Sequence, residues 1–153
     1  MNRISTRKMS VQVIGLIIKT STHNVRIEMK VIYTNFLIPK RFDAYNLIIV
    51  CLIRPEFKND NALYEHELTH NRQWKREPFT YPFKYLFSKP YRYKMELEAY
   101  TAQLRLYPLK KREEKSIQFA RLICTHYGIK GQTEESTKNA LIYNLIGGKN
   151  ETD

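Results

Sequence analysis

Cysteine occurs only twice, at Cys51 and Cys124, and never in a Cys-x-x-Cys spacing. A thiolate zinc finger and a dithiol redox pair are thereby excluded, and both thiols read as buried side chains of a reducing compartment. Glycine is also scarce, with five residues in 153, and neither an internal repeat nor a low-complexity stretch is present. A flexible linker between domains is therefore not expected. The longest uninterrupted apolar run, Leu47 to Ile53, is far short of the roughly 18 residues needed to cross a bilayer, which excludes a membrane span. Arg3, Arg7 and Lys8 precede the apolar stretch Val11–Ile18, a faint echo of a signal peptide. Gln12 interrupts it and no small-residue cleavage site follows, so a first strand is expected instead.

Positive charge, by contrast, is abundant: 26 Lys and Arg against 15 Asp and Glu give a net charge of +11. This excess flanks one acidic decapeptide, residues 61–70, which holds Glu65 and Glu67 and no cation. A chain so basic is attracted to nucleic acid, membrane surfaces and acidic partners, although a solvated basic surface is the plainer reading. With 42 % hydrophobic residues it can bury a core, so disorder is not expected.

Residues 10–54 read as strands. Val11–Ile14, Val25–Tyr33 and Leu47–Arg54 are rich in β-branched residues, and Val25, Ile27, Met29 and Val31 alternate with Arg26, Glu28 and Lys30. After Pro55 the pattern becomes helical. Helices are predicted at 62–76, 92–107, 113–127 and 134–146, stopped by Pro78, Pro108, Gly128 and Gly147-Gly148. Between the first two, residues 78–91 hold three prolines and six aromatic rings, predicting an ordered loop or broken helix packed by its rings. Strands followed by helices make an α+β fold, read as one domain over 1–153, mainly strands to about 55 and mainly helices from about 60 to 146.

The chemistry is concentrated in His66-Glu67-Leu68-Thr69-His70. On a helix, residues four apart share a face, so His66 and His70 can reach one metal ion. Glu67 is offset by about 100°, close enough to serve a water on that ion without being a ligand. Composition alone yields roughly 0.01 such motifs by chance. Ala62, Leu63, Leu68 and Trp74 mark the helix as largely buried, where unpaired polar groups are costly.

A catalytic zinc site requires a third protein ligand and an open position. The third histidine of a metzincin is missing, since Gln73 and Arg76 stand where its Gly and His would be. Aspartate is excluded as well, because Asp153 is the sole Asp after Asp60. His126 is the one remaining downstream histidine, set in a helix of core-type residues (Ile117, Ala120, Ile123). Glutamate is the better candidate, in Met95-Glu-Leu-Glu-Ala-Tyr100. Glu96 shares a face with Ala99 and Gln103, and the small Ala99 allows close packing against the histidine helix. Glu98 points about 200° away, toward basic surface, and Glu96 is preferred.

His-Glu-x-x-His-x-x-Gln followed about 25 residues later by Glu-x-Glu-Ala-Tyr resembles the small glutamate-ligand zincins, the minigluzincin-like metallopeptidases of bacteria and phages. The Glu-x-x-Ala element is also similar to the third-ligand helix of membrane-bound gluzincin peptidases, in which Asp commonly follows the Ala; Tyr100 stands there in this chain. The resemblance covers about residues 45–107. It implies a zincin fold, a short N-terminal sheet above an active-site helix with C-terminal helices following, and hydrolysis of a peptide or protein substrate. His66, His70 and Glu96 would be the ligands of Zn2+, and Glu67 the general base that takes a proton from a water and returns it to the leaving amine. The expected setting is the cytoplasm, that of the host if the chain is of phage origin.

Gln73, one turn beyond His70, could hydrogen-bond a ligand or simply lie on the surface. Tyr100 and His126 are candidate donors to a developing oxyanion. The strand Leu47–Arg54 could be an edge that pairs with an extended substrate, or a covered core strand. The aromatic–basic stretch Phe79–Tyr93 could stack nucleic-acid bases, but its rings more naturally wall a cleft and cover the active helix. Two rival readings remain open. One is a non-enzymatic basic binding or structural protein on a zincin scaffold; the other is a DNA-associated protease resembling the SprT-like group, with His126 completing the site.

Overall fold

The computed structural model describes residues 10–19, 24–40, 42–47 and 50–147, with side chains from Lys30 onward. The chain divides into two compact units, Met1–Asn59 and Asp60–Asp153, and the fold is α+β and mostly helical. The basic N-terminal residues and Gly148, both singled out in the sequence, lie outside the described residues.

The first unit is a four-stranded sheet. Strands β1 (Ser10–Lys19) and β2 (Asn24–Tyr33) form a long antiparallel hairpin, and β3 (Ala44–Asn46) pairs antiparallel with β4 (Val50–Ile53). The order is β1-β2-β4-β3, with β2 and β4 parallel and Val31 opposite Cys51. β4 is thus interior, flanked on both sides, and its ladder groups are taken by β2 and β3. The covered-strand reading of this segment holds, and the edge reading is corrected: no edge remains on β4 to pair with an extended peptide. Cys51, Leu52 and Ile53 are buried, as are Val31 and Tyr33 of β2, while Lys30 is exposed as alternation requires. Arg54 fastens the connection between β2 and β3, donating from Nε to the Phe42 carbonyl at 2.9 Å and from Nη1 to Asn35 Oδ1 at 3.2 Å.

The second unit holds five helices. α1 (Asn61–Arg76) starts where Asp60 Oδ1 accepts from the amides of Ala62 and Leu63 at 3.0 and 2.9 Å. The broken helix expected over 78–91 resolves into a short α2 (Tyr81–Phe87) and the first turn of α3 (Lys89–Arg105), capped by Ser88 and entered through Pro90. α4 (Leu109–Tyr127) and α5 (Glu134–Leu145) follow, the latter opened by a reciprocal Thr133–Ser136 capping box. Gly128 ends α4 for a steric reason rather than a left-handed turn: a Cβ there would sit 2.4 Å from the Cys124 carbonyl oxygen. Gly147, with φ of 90°, does take the left-handed conformation after α5.

Tyr93 and Leu104 of α3, Phe119, Ala120 and Ile123 of α4, and Leu141 of α5 form the core of this unit. Ile117, expected among them, is 44 % exposed, and Cys124 is only half-buried. α1 also packs along α3, on which Ala99 is fully buried. That contact brings the histidine helix and the glutamate helix together. No helix among the described residues is long and apolar enough to cross a membrane.

Candidate metal centre

His66, His70 and Gln73 stand at positions i, i+4 and i+7 of α1, one continuous face that α3 and α2 cover. The cover is close. His66 is 6 % exposed, Gln73 and Glu96 1 % each, and the side chain of His70 10 %. One ligand atom each from His66, His70 and Glu96 fall within 4.8 Å of one another.

The separations fit one small cation. His66 Nε2 and His70 Nε2 are 3.2 Å apart, His70 Nε2 is 3.5 Å from Glu96 Oε1, and His66 Nε2 is 3.7 Å from Glu96 Oε2. Ligands about 2.0 Å from a tetrahedral ion stand about 3.3 Å from one another. Glu96 Oε2 is buried and, among the described residues, has no hydrogen-bond partner. An orphaned carboxylate oxygen facing two imidazole nitrogens is a donor set that a divalent cation satisfies.

The surrounding polar groups set the direction of these atoms. Gln73 Nε2 donates to the Met95 carbonyl at 2.8 Å and to Glu98 Oε2 at 3.2 Å, both acceptors only, which fixes the orientation of the amide. Gln73 Oε1 then faces His70 Nδ1 at 2.9 Å and must accept from it. The proton of neutral His70 is therefore on Nδ1, and Nε2 offers its lone pair to the centre. Gln73 is thus buried and hydrogen-bonded to a candidate ligand, and the surface alternative is excluded. Gln103 of α3 is the corresponding neighbour of His66, and its side-chain hydrogen bond to the buried imidazole opposes part of the lowering that burial imposes there. On the far side, Tyr85 of α2 donates its hydroxyl to Glu96 Oε1. Tyr81, one turn earlier, reaches Gln73 Oε1 at 3.4 Å and stacks on Tyr85. Tyr100 packs edge-on against the His66 ring, with centroids 4.4 Å apart.

Burial dominates the electrostatics. Desolvation holds His66 well below the usual imidazole range, and the neighbouring His70 lowers it further. Desolvation also raises Glu96, against the opposing influence of His70 and the Tyr85 hydroxyl. Tyr81 and Tyr85 are pushed far up, first by burial and then by the Glu96 charge. At neutral pH the tyrosines are hydrogen-bond donors and His66 is an uncharged imidazole.

Other sequence-predicted residues fall as follows. Glu67 is 6 % exposed, next to His66 on α1 and outside the three-residue cluster. Glu98 does not face the centre; both its oxygens accept from Arg76 Nη2, at 2.8 and 2.7 Å. His126 lies exposed near the end of α4, its Nδ1 3.0 Å from the Leu122 carbonyl, and is not among the three converging groups. The aromatic stretch divides. Tyr81 is 7 % exposed and Tyr85 half-buried, whereas Phe79, Phe83 and Phe87 face outward, so of these five rings only the two tyrosines cover the candidate site on α1. The sequence marks Tyr81 and Tyr85 only collectively, among the rings expected to cover the helix, and does not single them out as hydrogen-bond donors to Gln73 and Glu96. The i, i+4 spacing of the two tyrosines was the available signal for an inward face, and Gln103 lay on the Glu96 face. Comparison with protein-family models, curated proteins and solved structures gives no match to this chain.

Proposed function

We propose that this chain is a zinc-dependent metallopeptidase of the glutamate-ligand zincin type, with a zincin-like fold. The observation that carries the reading is the buried convergence of His66, His70 and Glu96, with the lone pair of His70 aimed inward by Gln73. Two imidazoles and one carboxylate suit zinc and leave its fourth position for substrate chemistry. When bound there, zinc would polarise a scissile carbonyl and bring the pKa of a water to roughly 7.

The residues of the chain supply the rest. Glu67, one position from His66, takes up the proton released by the attacking water and returns it to the leaving amine. Gln73 holds His70 in the ligating tautomer, and Tyr85 occupies Glu96 Oε1, leaving Oε2 turned toward the centre. Tyr100, edge-on to the His66 ring, restrains that ligand.

The test is metal content with turnover. Protein purified without chelators should contain about one zinc per chain and cleave a mixed peptide library. Glu67→Gln should keep the zinc and lose cleavage. Undiminished cleavage in that variant would refute the mechanism, and absence of zinc after loading would favour a non-enzymatic binding protein.

A further inference from the structure

The outward face of α2 has no role in the metal centre. Phe79, Phe83, Leu86 and Phe87 are 87 %, 66 %, 63 % and 81 % exposed. The Tyr81 amide already bonds the Glu77 carbonyl and the Lys84 amide that of Thr80, so helical geometry extends back over residue 79. At helical spacing the four side chains fall in an arc of about 100°, opposite Tyr81 and Tyr85. Together they expose roughly 500 Å² of apolar surface, near the upper end of what one patch on a monomer shows.

What covers this stripe is indicated by its border. Residues 75–89 carry Lys75, Arg76, Lys84 and Lys89, all exposed; Lys84 pairs with Glu77 and Arg76 with Glu98, which leaves Lys75 and Lys89 as the border cations with no acidic partner among the described residues. A second copy of the same face would bring like charges together, which disfavours self-association. A single-stranded nucleic acid needs cations interleaved between stacking rings, whereas here the cations lie outside an unbroken apolar arc that includes Leu86. A short helix packed on protein by one face, apolar on the other and edged by lysines, matches the boundary between headgroups and acyl chains of an anionic bilayer. No spanning helix is involved.

We infer that α2 is an interfacial membrane-docking element, inserting Phe79, Phe83, Leu86 and Phe87 among the lipids of an anionic membrane while Lys75 and Lys89 meet the headgroups. The inference stands apart from the identity of the metal. The lysines make attachment selective for anionic lipid, and the rings make it resistant to moderate salt.

The test is co-sedimentation of the full chain with extruded vesicles, one set of phosphatidylcholine and one of equal parts phosphatidylcholine and phosphatidylglycerol. The parent should bind the anionic vesicles and not the neutral ones. Phe83→Ser/Phe87→Ser, whose exposed positions leave the fold intact by circular dichroism, should bind at least tenfold more weakly. In Phe87→Trp, emission attributable to the introduced indole should shift to the blue on adding anionic vesicles. No binding, equal binding to neutral vesicles, or full binding by the double variant would overturn the proposal. So would a parent dimer that the double variant abolishes, or single-stranded DNA protecting the Phe87→Trp indole where vesicles do not.

Discussion

Replacing Gln73 by leucine removes the group that fixes His70, and the structure allows the consequences to be separated. The amide of Gln73 accepts from His70 Nδ1 at 2.9 Å and donates to the Met95 carbonyl at 2.8 Å. Losing the first frees the imidazole to change tautomer and rotate; loss of such a supporting partner weakens metal binding by about 10–100-fold, or about 1.4–2.7 kcal/mol. Losing the second removes a buried hydrogen bond to a carbonyl that keeps its partner within α3, at about 0.5–1.5 kcal/mol of folding stability. Gln73→Glu distinguishes the two effects. Its carboxylate still accepts from Nδ1, yet it cannot donate to Met95 and stands against Glu98, 3.2 Å from the native amide. Zinc affinity, measured by competition with a chromophoric chelator, should fall in Gln73→Leu and recover in Gln73→Glu, while urea midpoints of the metal-free proteins should fall in both. Parental affinity in Gln73→Leu, or weaker binding by Gln73→Glu than by Gln73→Leu, would refute the orientation argument.

Four further outcomes are expected. Glu67→Gln should retain zinc but lower peptide hydrolysis by about 10²–10⁴-fold, read as the ratio of kcat/KM to the parent at equal zinc content. Glu96→Ala should lose zinc, whereas Glu98→Ala, which breaks a surface pair with Arg76, should lose little; a chelator titration of both gives the ranking. Glu96→Gln should stabilise the metal-free chain at pH 7, because burial raises the Glu96 pKa and ionisation therefore opposes folding above about pH 4.5. That advantage should shrink as the pH falls toward 4.5, whereas neutral burial of His66 makes both proteins less stable below about pH 6.5; urea midpoints across this range show both trends. Gly128→Ala should lower the thermal midpoint by an amount equivalent to about 1–3 kcal/mol, since a new methyl 2.4 Å from a backbone carbonyl oxygen forces the end of α4 to move.

The residues read most directly from the sequence were those whose chemistry depends on position within one helix. His66 and His70 are related by helical spacing alone, and Asp60 caps that helix through contacts two and three residues away. Glu96 needed one further inference, that a small Ala99 lets α3 approach α1, and the structure has Ala99 fully buried at that contact. The sheet was legible as strands but not as a topology. β3 is three residues long and carries no alternation from which to infer it, yet its place outside β4 decides between the edge and covered-strand readings in favour of the covered strand. Gly128 was legible as the stop of α4 but its role was not: it permits close approach to the Cys124 carbonyl, a property of three-dimensional proximity.

The aromatic segment shows why composition alone was ambiguous. Phenylalanine and tyrosine count alike as rings, so 78–91 read as one cluster burying itself. In the structure a hydroxyl decides the side. Tyr81 and Tyr85 can turn inward because Gln73 and Glu96 offer buried acceptors, and a phenylalanine at either place would leave those acceptors with one donor fewer. Phe79, Phe83 and Phe87 have no such reason to enter a polar centre, and the roughly two turns of helix available cannot bury both faces on one neighbour. Residues 79–87 therefore close the candidate metal centre with one face and expose an apolar stripe with the other. Tyr85→Phe should accordingly weaken zinc binding through Glu96 and leave the attachment of α2 to anionic vesicles unchanged. Coupled losses in that variant would mean that the two faces do not act independently.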